Sequence, residues 1–492
     1  MIHDALKTVT INVLICNNII SLSKMRLVMK FGGTAVDSGK KIVHITKLIK
    51  SYHDKGNEIV GVFSAVAGMT DEILKVSGYV FKSDKKKIMD FINNTRSLHI
   101  DIIKDSIRNK TYRVKAIEVV EVLLNEMENI LNGVVLLKEV TEKAMDHLLS
   151  FGERLLTPII SYSLLDKGLE SVYLTGQEVG ILTDSKFGQA RPLIDTTKIR
   201  VKYHVDPLLK ENKIPVITGF IGADQNGNIT TLGRSGSDYT ATIIAVCIDA
   251  DEVWLWTDVN GLMTADPDLV KEAKVLREVS FAEAIELSLF GAKYMHPRAL
   301  EPVMDTNIPI RIRNAFNLSH EGTIISKNPS KPSQKIVKSI IAIRNTALID
   351  VSGGGMVGAP GTAARIFDAL ARKSVNIMMI SQSPSESSIS MVVKKDDLDT
   401  AITTLDLTLL DKVIKNVRVN EDVAVIAVVG SGMRGIKGIA AKVFSAVSKD
   451  NINVIMIAQG SSELNLAFVV NNNDCEKAVR SLHEAFTLTK TN

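Results

Sequence analysis

The 492-residue sequence has only three cysteines, Cys16, Cys247 and Cys475, which lie far apart and form no CxxC or cysteine–histidine spacing. Their scarcity excludes a disulfide framework, and their spacing gives no indication of a zinc site. We therefore expect a reducing environment, such as the cytoplasm.

The sequence also lacks a strong net charge and a long apolar run. Its 59 basic residues nearly balance its 55 acidic ones, and the short basic run at 82–87 is typical of a solvated helix start, so we expect no nucleic-acid partner. The apolar stretch 9–22 is interrupted by asparagines and is too short to span a bilayer, so we expect no membrane contact. Because Met25 directly precedes a strong strand pattern, residues 1–24 are expected to be a disordered tail or an over-called start.

The first two thirds of the chain alternate β-branched runs with helical patterns, which predicts parallel βαβ units. Strands are predicted at 26–31, 58–64, 171–175, 214–220, 252–257 and 308–313. Between them, 85–149 reads as a charged helical insertion that caps one side of the sheet. Its apolar positions recur at three-to-four spacing, at Val114, Ile117, Val120, Leu124, Met127 and Leu131.

The last third contains an internal repeat at an offset of 77 residues. Gly353, Met356 and Gln382, for example, recur as Gly430, Met433 and Gln459. Such matching indicates duplicated units, each of which reads as a ferredoxin-like βαββαβ module. We expect a catalytic domain over 25–325, a proline-containing linker over 326–343, and modules over 344–410 and 421–492.

The stretch 230–245, TTLGRSGSDYTATIIA, is the part of the sequence most informative about chemistry. It places glycines, small hydroxyls, Arg234 and Asp238 just before an apolar run with helical spacing. A loop of this kind exposes backbone N–H groups at a helix N-terminus, where anions are favoured. It is therefore a candidate anion site.

A second candidate follows the first strand, in the sequence Lys30-Phe-Gly-Gly-Thr. Adjacent glycines let the backbone approach a phosphate closely, and a lysine supplies charge to it. A lysine that simply ends a strand before a tight turn explains the pattern equally well. Neither GxxxxGK[ST] nor GxGxxG occurs, so a P-loop and a Rossmann site have no support.

Three further polar positions each have a structural alternative. Glu153 could hold a substrate ammonium or be an exposed residue at a helix end. Thr257 and Asp258 follow a buried strand, where open α/β sheets bind ligands, but Asn260 and Gly261 could close an Asx turn there. Lys293 ends a helical pattern, where a cation is favourable for structural reasons alone.

Together these motifs resemble aspartate kinase. The matching segments occur in one order, namely KFGGT at Lys30, SAVAGMT at Ser64, FGER at Phe151, GFIG at Gly219, TLGRSGSD at Thr231, WTDV at Trp256 and FGAK at Phe290. The resemblance covers nearly the whole chain after Met25. It implies an amino-acid-kinase three-layer α/β sandwich with a mostly parallel sheet, followed by two ACT modules.

The resemblance implies transfer of the ATP γ-phosphoryl group to the side chain of L-aspartate, giving 4-phospho-L-aspartate, the first step towards lysine, threonine and methionine. The implied catalytic residues are Lys30, Asp238 and Lys293, with Mg²⁺ bridging the phosphates and no resident protein metal site. Aspartate would contact Thr70, Glu153, Arg234 and Ser237. The nucleotide would contact Gly32, Gly33, Ser64, Thr257, Asp258, Met263 and Tyr294.

The sequence departs from the family pattern at three positions near this site. Ser235 stands where a glycine is usual, Met263 replaces a tyrosine, and Asp268 replaces a basic residue. Two alternatives stay open. Ser235 leaves open a catalytically weak amino-acid sensor. A kinase acting on glutamate or acetylglutamate would share the fold, although the paired modules, WTDV and GRSGSD speak against it. Because the chain stops after the second module, we expect a monofunctional enzyme without a fused homoserine dehydrogenase.

The paired ACT modules imply feedback regulation by an amino acid, lysine or threonine, and homo-oligomerisation between modules. The implied effector site consists of Met356, Gly358, Gly361, Thr362, Asn376, Ile377 and Gln382. The alternative is that these glycines only make tight turns. In the second copy Lys437 stands where the first has Pro360, so the two loops need not bind alike.

Overall fold

A computed structural model describes residues 24–80, 84–289, 295–329, 336–409 and 414–488. The chain forms two units. The first consists of residues 1–260 and 298–327, and the second of residues 261–297 and 328–492. The expected tail 1–24 lies, apart from Lys24, outside the described residues.

Strands and helices both occur throughout the described residues. The strands, in chain order, are β1 (Arg26–Phe31), β2 (Glu58–Phe63), β3 (Ser171–Leu174), β4 (Ile214–Thr218), β5 (Ile221–Ala223), β6 (Ile229–Thr231), β7 (Glu252–Thr257), β8 (Glu278–Ser280), β9 (Ile310–Asn314), β10 (Thr323–Ser326), β11 (Ser339–Ser352), β12 (Ile377–Gln382), β13 (Ser388–Lys394), β14 (Asn416–Val429), β15 (Met456–Ala458) and β16 (Asn465–Asn471). The helices are α1 (Gly39–His53), α2 (Met69–Val80), α3 (Lys85–Ser106), α4 (Lys110–Leu137), α5 (Glu142–Leu165), α6 (Gly176–Val179), α7 (Ile194–Lys210), α8 (Gly236–Cys247), α9 (Phe281–Leu289), α10 (Thr362–Arg372), α11 (Leu398–Leu409), α12 (Ile439–Lys449) and α13 (Cys475–Ala485).

The first unit is built on a mostly parallel sheet with the strand order β3-β4-β2-β1-β7-β9-β10. The pairs from β3 to β9 are parallel, and β9 pairs with β10 antiparallel. In β1 the successive residues Leu27, Val28 and Met29 are all buried. Because successive side chains point to opposite faces of a strand, both faces of the sheet are covered. The mostly parallel α/β fold is thus confirmed, as are the six predicted strands within one or two residues at each end.

Helices α3, α4 and α5 form the predicted helical layer and share one core with α1 and the sheet. On α4 the buried residues are Ala116, Val120, Leu124, Met127, Leu131, Val134 and Val135. The expectation that Val114 lies in this stripe was wrong, because its side chain is 54% exposed. It lies near the start of α4, whereas the buried stripe begins at Ala116, so the spacing alone extended the stripe too far.

Three aromatic rings lie directly beneath the carboxyl ends of the central strands. The rings of Phe31 and Phe63 stack with centroids 5.2 Å apart, and those of Phe31 and Trp256 with centroids 6.2 Å apart. All three are fully buried, and stacked aromatic rings contribute beyond the apolar area they bury. They form a rigid floor under the residues that follow these strands.

The second unit contains an antiparallel sheet with the order β12-β13-β11-β14-β16-β15. Strands β11 and β14 pair at its centre, where Thr346 lies opposite Val423, its own equivalent in the 77-residue repeat. Ile340 pairs with Val428, and the equivalent pair Val351 with Val417 is also present. The two modules are therefore related by a local twofold axis between β11 and β14.

The two modules exchange strands across this axis. Residues 339–343 of β11 pair with residues 425–429 of β14, and the second half of β11 pairs with residues 416–420. Each module thus takes its fourth strand from the long strand of the other. Residues 339–343, which the sequence placed in the linker, lie in β11 and supply the fourth strand of the second module.

Residues 264–270 pack with the second module. The Ile340 amide donates to the Thr264 carbonyl, and the Thr264 hydroxyl lies 2.9 Å from the His483 Nε2. Ala265 and Val270 belong to the same core as Val337 and Phe468. The sequence had assigned this segment to the catalytic domain.

Within the described parts of the chain, every helix is too short or too polar to cross a membrane.

Candidate functional site

The parallel strands of the first unit bring the predicted site residues to one edge of the sheet. The register places Phe31 opposite both Phe63 and Trp256. The residues that follow these three strands therefore meet at the carboxyl edge, the usual ligand site of open α/β sheets. Gly32, Ser64 and Thr257 all lie there.

An ion pair joins the end of β1 to helix α8. The Lys30 Nζ lies 2.6 Å from the Asp238 Oδ1, and the two side chains are 13% and 6% exposed. Asp238 stands in the first turn of α8, where the helix dipole favours a negative charge. The lysine is thereby held at the turn after β1, where its Nζ lies 3.6 Å from the position that a Cβ would take on Gly32.

The two glycines after β1 allow close contact between backbone segments. A Cβ on Gly33 would lie 2.8 Å from the Ala65 carbonyl oxygen, so no side chain fits there. The Gly32 amide donates to the Trp256 carbonyl, and the Ser64 amide donates to the Phe31 carbonyl. This packing leaves a turn without side chains beside Lys30, as a close phosphate contact requires.

Glu153 is a buried carboxylate inside α5, not the exposed helix-end residue of the alternative interpretation. Its side chain is 4% exposed, and its Oε2 has no hydrogen-bond partner among the described residues. Burial raises its pKa to about 8, against the smaller opposing effects of the Ala65 backbone amide and the Lys30 charge. A buried carboxyl with one oxygen unpaired is suited to a cationic group brought by a ligand.

The loop between β6 and α8 carries Arg234 at the surface. Its guanidinium is exposed, and no carboxylate in the described residues pairs with it. Ser237 is buried, and its Oγ lies 2.5 Å from the position a Cβ would take on Gly219. Thr70, in the first turn of α2, is half-buried.

Ser235 stands where the family usually has glycine, and its backbone adopts a conformation that favours glycine. Its φ and ψ are 52° and 30°, which is the left-handed region, and it is the N-cap residue of α8. An L-residue there carries a steric cost that glycine avoids. The loop therefore keeps the left-handed conformation with a serine in place of glycine, at the cost of backbone strain.

Thr257 and Asp258 begin a turn that is fixed by asparagines from the end of β9. The Thr257 hydroxyl donates to the Asp258 carboxylate, and the Asn314 side-chain amide donates to the Asp258 carbonyl and to the Asn260 Oδ1. Asn317 also donates to Asn260. Since the Asn260 side-chain oxygen accepts from two side chains of another segment, it does more than close a local Asx turn.

Several predicted site residues cannot be placed in this group. Lys293 and Tyr294 lie outside the described residues. Met263 belongs to the second unit, where its carbonyl accepts a hydrogen bond from the Ser339 hydroxyl, and Asp268 lies in the same unit.

Sequence reasoning missed three residues that make contacts around this edge: Asp146, Asn314 and Arg298. Asp146 stands seven residues before Glu153, two turns away on the same helix. That spacing was the available signal, but it does not distinguish a site residue from an ordinary helical carboxylate. Arg298 donates to backbone carbonyls, and Asn314 donates to the Asp258 carbonyl and the Asn260 side chain, which no local pattern reveals.

In the first of the two duplicated modules the predicted effector residues lie around one glycine loop and the strand that follows α10. Met356 and Thr362 are buried, Gly361 is the N-cap residue of α10 with a φ of 86°, and Gly358 has a φ of 62°. Asn376 and Gln382 are exposed around β12, and Ile377, at its start, is half-buried. The glycines thus make tight turns, as the alternative interpretation expected, and such turns are compatible with ligand binding.

The same internal contact occurs in both modules. The Gly358 amide donates to the Glu386 carboxylate at 3.0 Å, and the equivalent Gly435 amide donates to the Glu463 carboxylate at 2.6 Å. Each glycine loop can therefore present an N–H group to a carboxylate, and in this structure a side chain of the same module accepts it.

Comparison with protein families assigns both parts of the chain. Residues 25–314 match the Amino acid kinase family, and residues 349–408 and 426–486 each match the ACT domain. Two kinds of relative have similar sequences. The chain is 33% identical over 487 residues to bifunctional aspartokinase/homoserine dehydrogenase 2 of Zea mays, covering 96% of this chain and 52% of that protein. It is 30% identical over 480 residues to aspartokinase 3 of Arabidopsis thaliana, covering 95% and 83%.

The chain thus spans about half the length of the bifunctional relatives that it matches. Two solved structures of E. coli aspartokinase III are similar to it over 94% of this chain and 99% of theirs. The complex with aspartate and ADP, described as the R-state, has a TM-score of 0.78 at 27% identity. The complex with lysine and aspartate, described as the T-state, has a TM-score of 0.79 at 28% identity.

Proposed function

The chain belongs to the amino acid kinase family, and within it to the aspartokinases, and from this premise we propose that it phosphorylates the side-chain carboxylate of L-aspartate with ATP. The observation that carries the proposal is the Lys30–Asp238 ion pair at the same sheet edge as the unpaired Glu153 carboxylate. One group serves the phosphates and the other the amino-acid ammonium. A site for a small amino acid and a nucleotide needs both.

At the amino-acid end, Glu153 accepts the substrate ammonium and Arg234 binds the α-carboxylate. The planar guanidinium can bind a carboxylate through two parallel hydrogen bonds, which a lysine cannot do. Thr70 and Ser237 contribute hydroxyl groups. No general base is required, because the attacking carboxylate is already ionised at neutral pH.

At the phosphate end, Lys30 and the turn at Gly32, Gly33 and Ser64 bind and orient the γ-phosphoryl group. Phosphoryl transfer depends mainly on positioning and on positive charge near the equatorial oxygens. Asp238 keeps the Lys30 ammonium in place, and Thr257 and Asp258 border the nucleotide. By resemblance, Met263 and Tyr294 also contact the nucleotide, and Lys293 supplies a second cation.

Mg²⁺ fits this site as a companion of the nucleotide. No group of three histidine, cysteine or acidic side chains suited to a metal occurs in the described segments. Mg²⁺ is commonly bound by substrate phosphates and water with one or two carboxylates, and Asp258 would supply such a carboxylate. When bound, it would neutralise phosphate charge.

Regulation by an end-product amino acid is the second part of the proposal. The E. coli relative was solved with lysine, and the two ACT modules of this chain each present a glycine loop. We assign the effector site to Met356, Gly358, Gly361, Thr362, Asn376, Ile377 and Gln382, with lysine or threonine as effector. Activity measured with each amino acid in turn tests it, and indifference to all of them would remove the regulatory claim.

The decisive experiment is ATP-dependent hydroxamate formation by the purified chain, with aspartate, glutamate and acetylglutamate as parallel substrates. We expect product with aspartate alone. The Lys30→Ala variant provides the background rate. Turnover of glutamate or acetylglutamate in place of aspartate would identify a different amino-acid kinase.

One observation keeps a catalytically weak amino-acid sensor as the second candidate, namely the left-handed backbone at Ser235 next to Arg234. The same assay separates the two, since a sensor would bind aspartate or an effector in calorimetry without forming hydroxamate.

Homo-oligomerisation through the ACT modules and a cytoplasmic location stay predictions. The Arabidopsis and maize relatives are named as chloroplastic.

A further inference from the structure

One arginine outside the predicted site binds the backbone of two loops at once. Arg298 lies in the 3-10 turn Pro297–Val303. Its Nη1 donates to the Leu232 carbonyl at 2.8 Å, and its Nη2 donates to the Ala190 carbonyl at 2.8 Å and to the Gln189 carbonyl at 3.4 Å. Leu232 is two residues before Arg234. The guanidinium therefore connects the loop that carries Arg234 to the loop formed by residues 184–191.

A buried carboxylate connects the same two loops from another element. Asp146, on α5, is 1% exposed. It accepts hydrogen bonds from the Thr231 amide at 2.8 Å and the Thr231 hydroxyl at 2.7 Å, and from the Gly188 amide at 2.9 and 3.0 Å. A charged group buried with this many partners holds them firmly.

The two groups complement each other, because the carboxylate takes backbone donors and the guanidinium takes backbone acceptors. The Ala190 amide closes the arrangement by donating to the Thr231 carbonyl at 2.9 Å. A Cβ on Gly233 would lie 3.3 Å from both the Arg298 Nη1 and the Gly188 carbonyl oxygen. The loop before Arg234 is thus enclosed by the Arg298 guanidinium on one side and by the Gly188 backbone, which Asp146 holds, on the other.

Arg298 also contacts the helix that follows this loop. Its guanidinium carbon lies 5.0 Å from the centre of the Tyr239 ring, on α8 next to Asp238. The strained Ser235 backbone therefore lies between Leu232 and Tyr239, two residues that Arg298 fixes. Strained conformations persist when the surrounding contacts determine them.

We propose that Asp146 and Arg298 are positioning residues, which hold the 231–236 loop so that Arg234 presents its guanidinium to the substrate α-carboxylate. The inference rests on the proposed function of Arg234. Arg234 has no described ion-pair partner of its own, so its direction depends on the backbone that carries it. Binding is tighter when such a group is ordered before the ligand arrives.

Steady-state kinetics of Arg298→Gln and Asp146→Asn tests the proposal in the full chain. We expect the aspartate KM to rise about tenfold in each variant, since small misplacements of binding groups cost one to two orders of magnitude. The ATP KM should change less than about twofold, because Lys30 and Thr257 lie on strands β1 and β7, outside the 231–236 loop. Arg298→Lys should lie between Arg298→Gln and wild type, since an ammonium cannot span both loops in a fork.

The chain offers matched controls. Arg113 also donates its guanidinium to backbone carbonyls, those of Ile107 and Lys104, but within the helical layer. Asp166, at the far end of α5, also accepts a backbone amide, that of Asn109. Arg113→Gln and Asp166→Asn should leave the aspartate KM unchanged.

Amide hydrogen exchange of the peptide covering 230–237, in protein without ligands, gives a second readout. We expect faster exchange in Arg298→Gln and Asp146→Asn and unchanged exchange in the two controls. An unchanged aspartate KM, equal rises in the aspartate and ATP KM values, or unchanged exchange would each overturn the proposal. Wild-type protein inactive on aspartate would instead overturn the proposed function, and hydrogen exchange would still test whether the loop is held.

Discussion

The Lys30 ammonium and the Asp238 carboxylate lie 2.6 Å apart and join strand β1 to the first turn of helix α8. Lys30 is the next-to-last residue of its strand, while Asp238 is more than 200 positions later in the sequence. This pair unites the two sequence motifs with the clearest chemical character, the KFGGT turn and the glycine loop before α8.

Removing the Lys30 charge should abolish most turnover. We expect Lys30→Ala to lower kcat on the order of 100-fold or more, the range found when one preorganised charge at a reacting group is lost. The measurement is kcat for hydroxamate formation on variant protein with unchanged circular dichroism. Lys167→Gln is the control, since it removes a 2.7 Å ion pair with Asp166 at the end of α5. Turnover near the wild-type value in Lys30→Ala would refute a catalytic role.

Arg234→Ala should act mainly on aspartate binding. Loss of a charge-assisted pair of hydrogen bonds to the bound α-carboxylate costs about 1.5–3 kcal/mol, so we expect the aspartate KM to rise on the order of 100-fold. Arg234→Lys should recover little of this, because it lacks the planar fork. Initial rates at varied aspartate and saturating ATP give the answer. The assignment is wrong if the aspartate KM does not move.

Glu153 should make aspartate binding pH-dependent. Its pKa of about 8 leaves the ligand-free carboxyl largely protonated at pH 6, and it must ionise to pair with an ammonium. The aspartate KM should therefore fall about fiftyfold between pH 6 and pH 8. Glu153→Gln should bind weakly over the whole range and show a flat profile. A wild-type KM that is constant over this interval would contradict the assignment.

Glu153 should also make the free energy of unfolding depend on pH. The carboxyl ionises near its ordinary pKa of 4.5 in the unfolded chain but near 8 in the folded protein. The unfolded state therefore releases its proton first, and the free energy of unfolding should fall as pH rises from about 4.5 to about 8, then level off. Urea denaturation of wild type and Glu153→Gln across this range checks it, since the difference between the two should follow that course.

Ser235→Gly should relieve backbone strain. A left-handed L-residue costs about 1–2 kcal/mol, partly offset by the greater freedom of glycine in the unfolded chain, so we expect the first unit to gain roughly 0.5–1 kcal/mol. We also expect the aspartate KM to fall about two- to threefold, because the loop reaches the same conformation without strain.

Ser374→Gly is the matched control, since Ser374 has a φ of 58° in the second unit. It should stabilise that unit by a similar amount without changing the aspartate KM. A rise in the KM of Ser235→Gly would show that the serine side chain contributes to binding.

Residues at strand ends were predictable because parallel strands bring their carboxyl ends to one edge. Lys30, Ser64 and Thr257 each follow an apolar run that is recognisable alone, and the order of the motifs resembled one family. Asp146 and Arg298 were not predictable, since their partners are backbone groups 85 and 66 positions away. Backbone acceptors and donors carry no residue identity, so no motif marks such contacts.

In the two ACT modules, the repeat was predictable from the sequence but the strand exchange was not. The 77-residue offset predicted two similar modules, and both are present around a local twofold axis. The exchange of strands was missed because it depends on β11 being long enough to serve both modules. Its first residues follow a proline-containing stretch, which reads as a linker when only local composition is considered.

The contact between Thr264 and His483 spans 219 positions, and this separation has a consequence for how the protein is made. A ribosome that adds roughly 5–20 residues per second needs on the order of ten seconds or more to travel from one to the other. During that time we expect residues 261–297 to lack their final packing and to be open to chaperones and proteases. Protease treatment of ribosome-bound chains halted near residue 470 should cut this segment, whereas the released full-length chain should resist. The segment that follows WTDV is thus among the last parts of the nascent chain to mature, although it is translated near the middle.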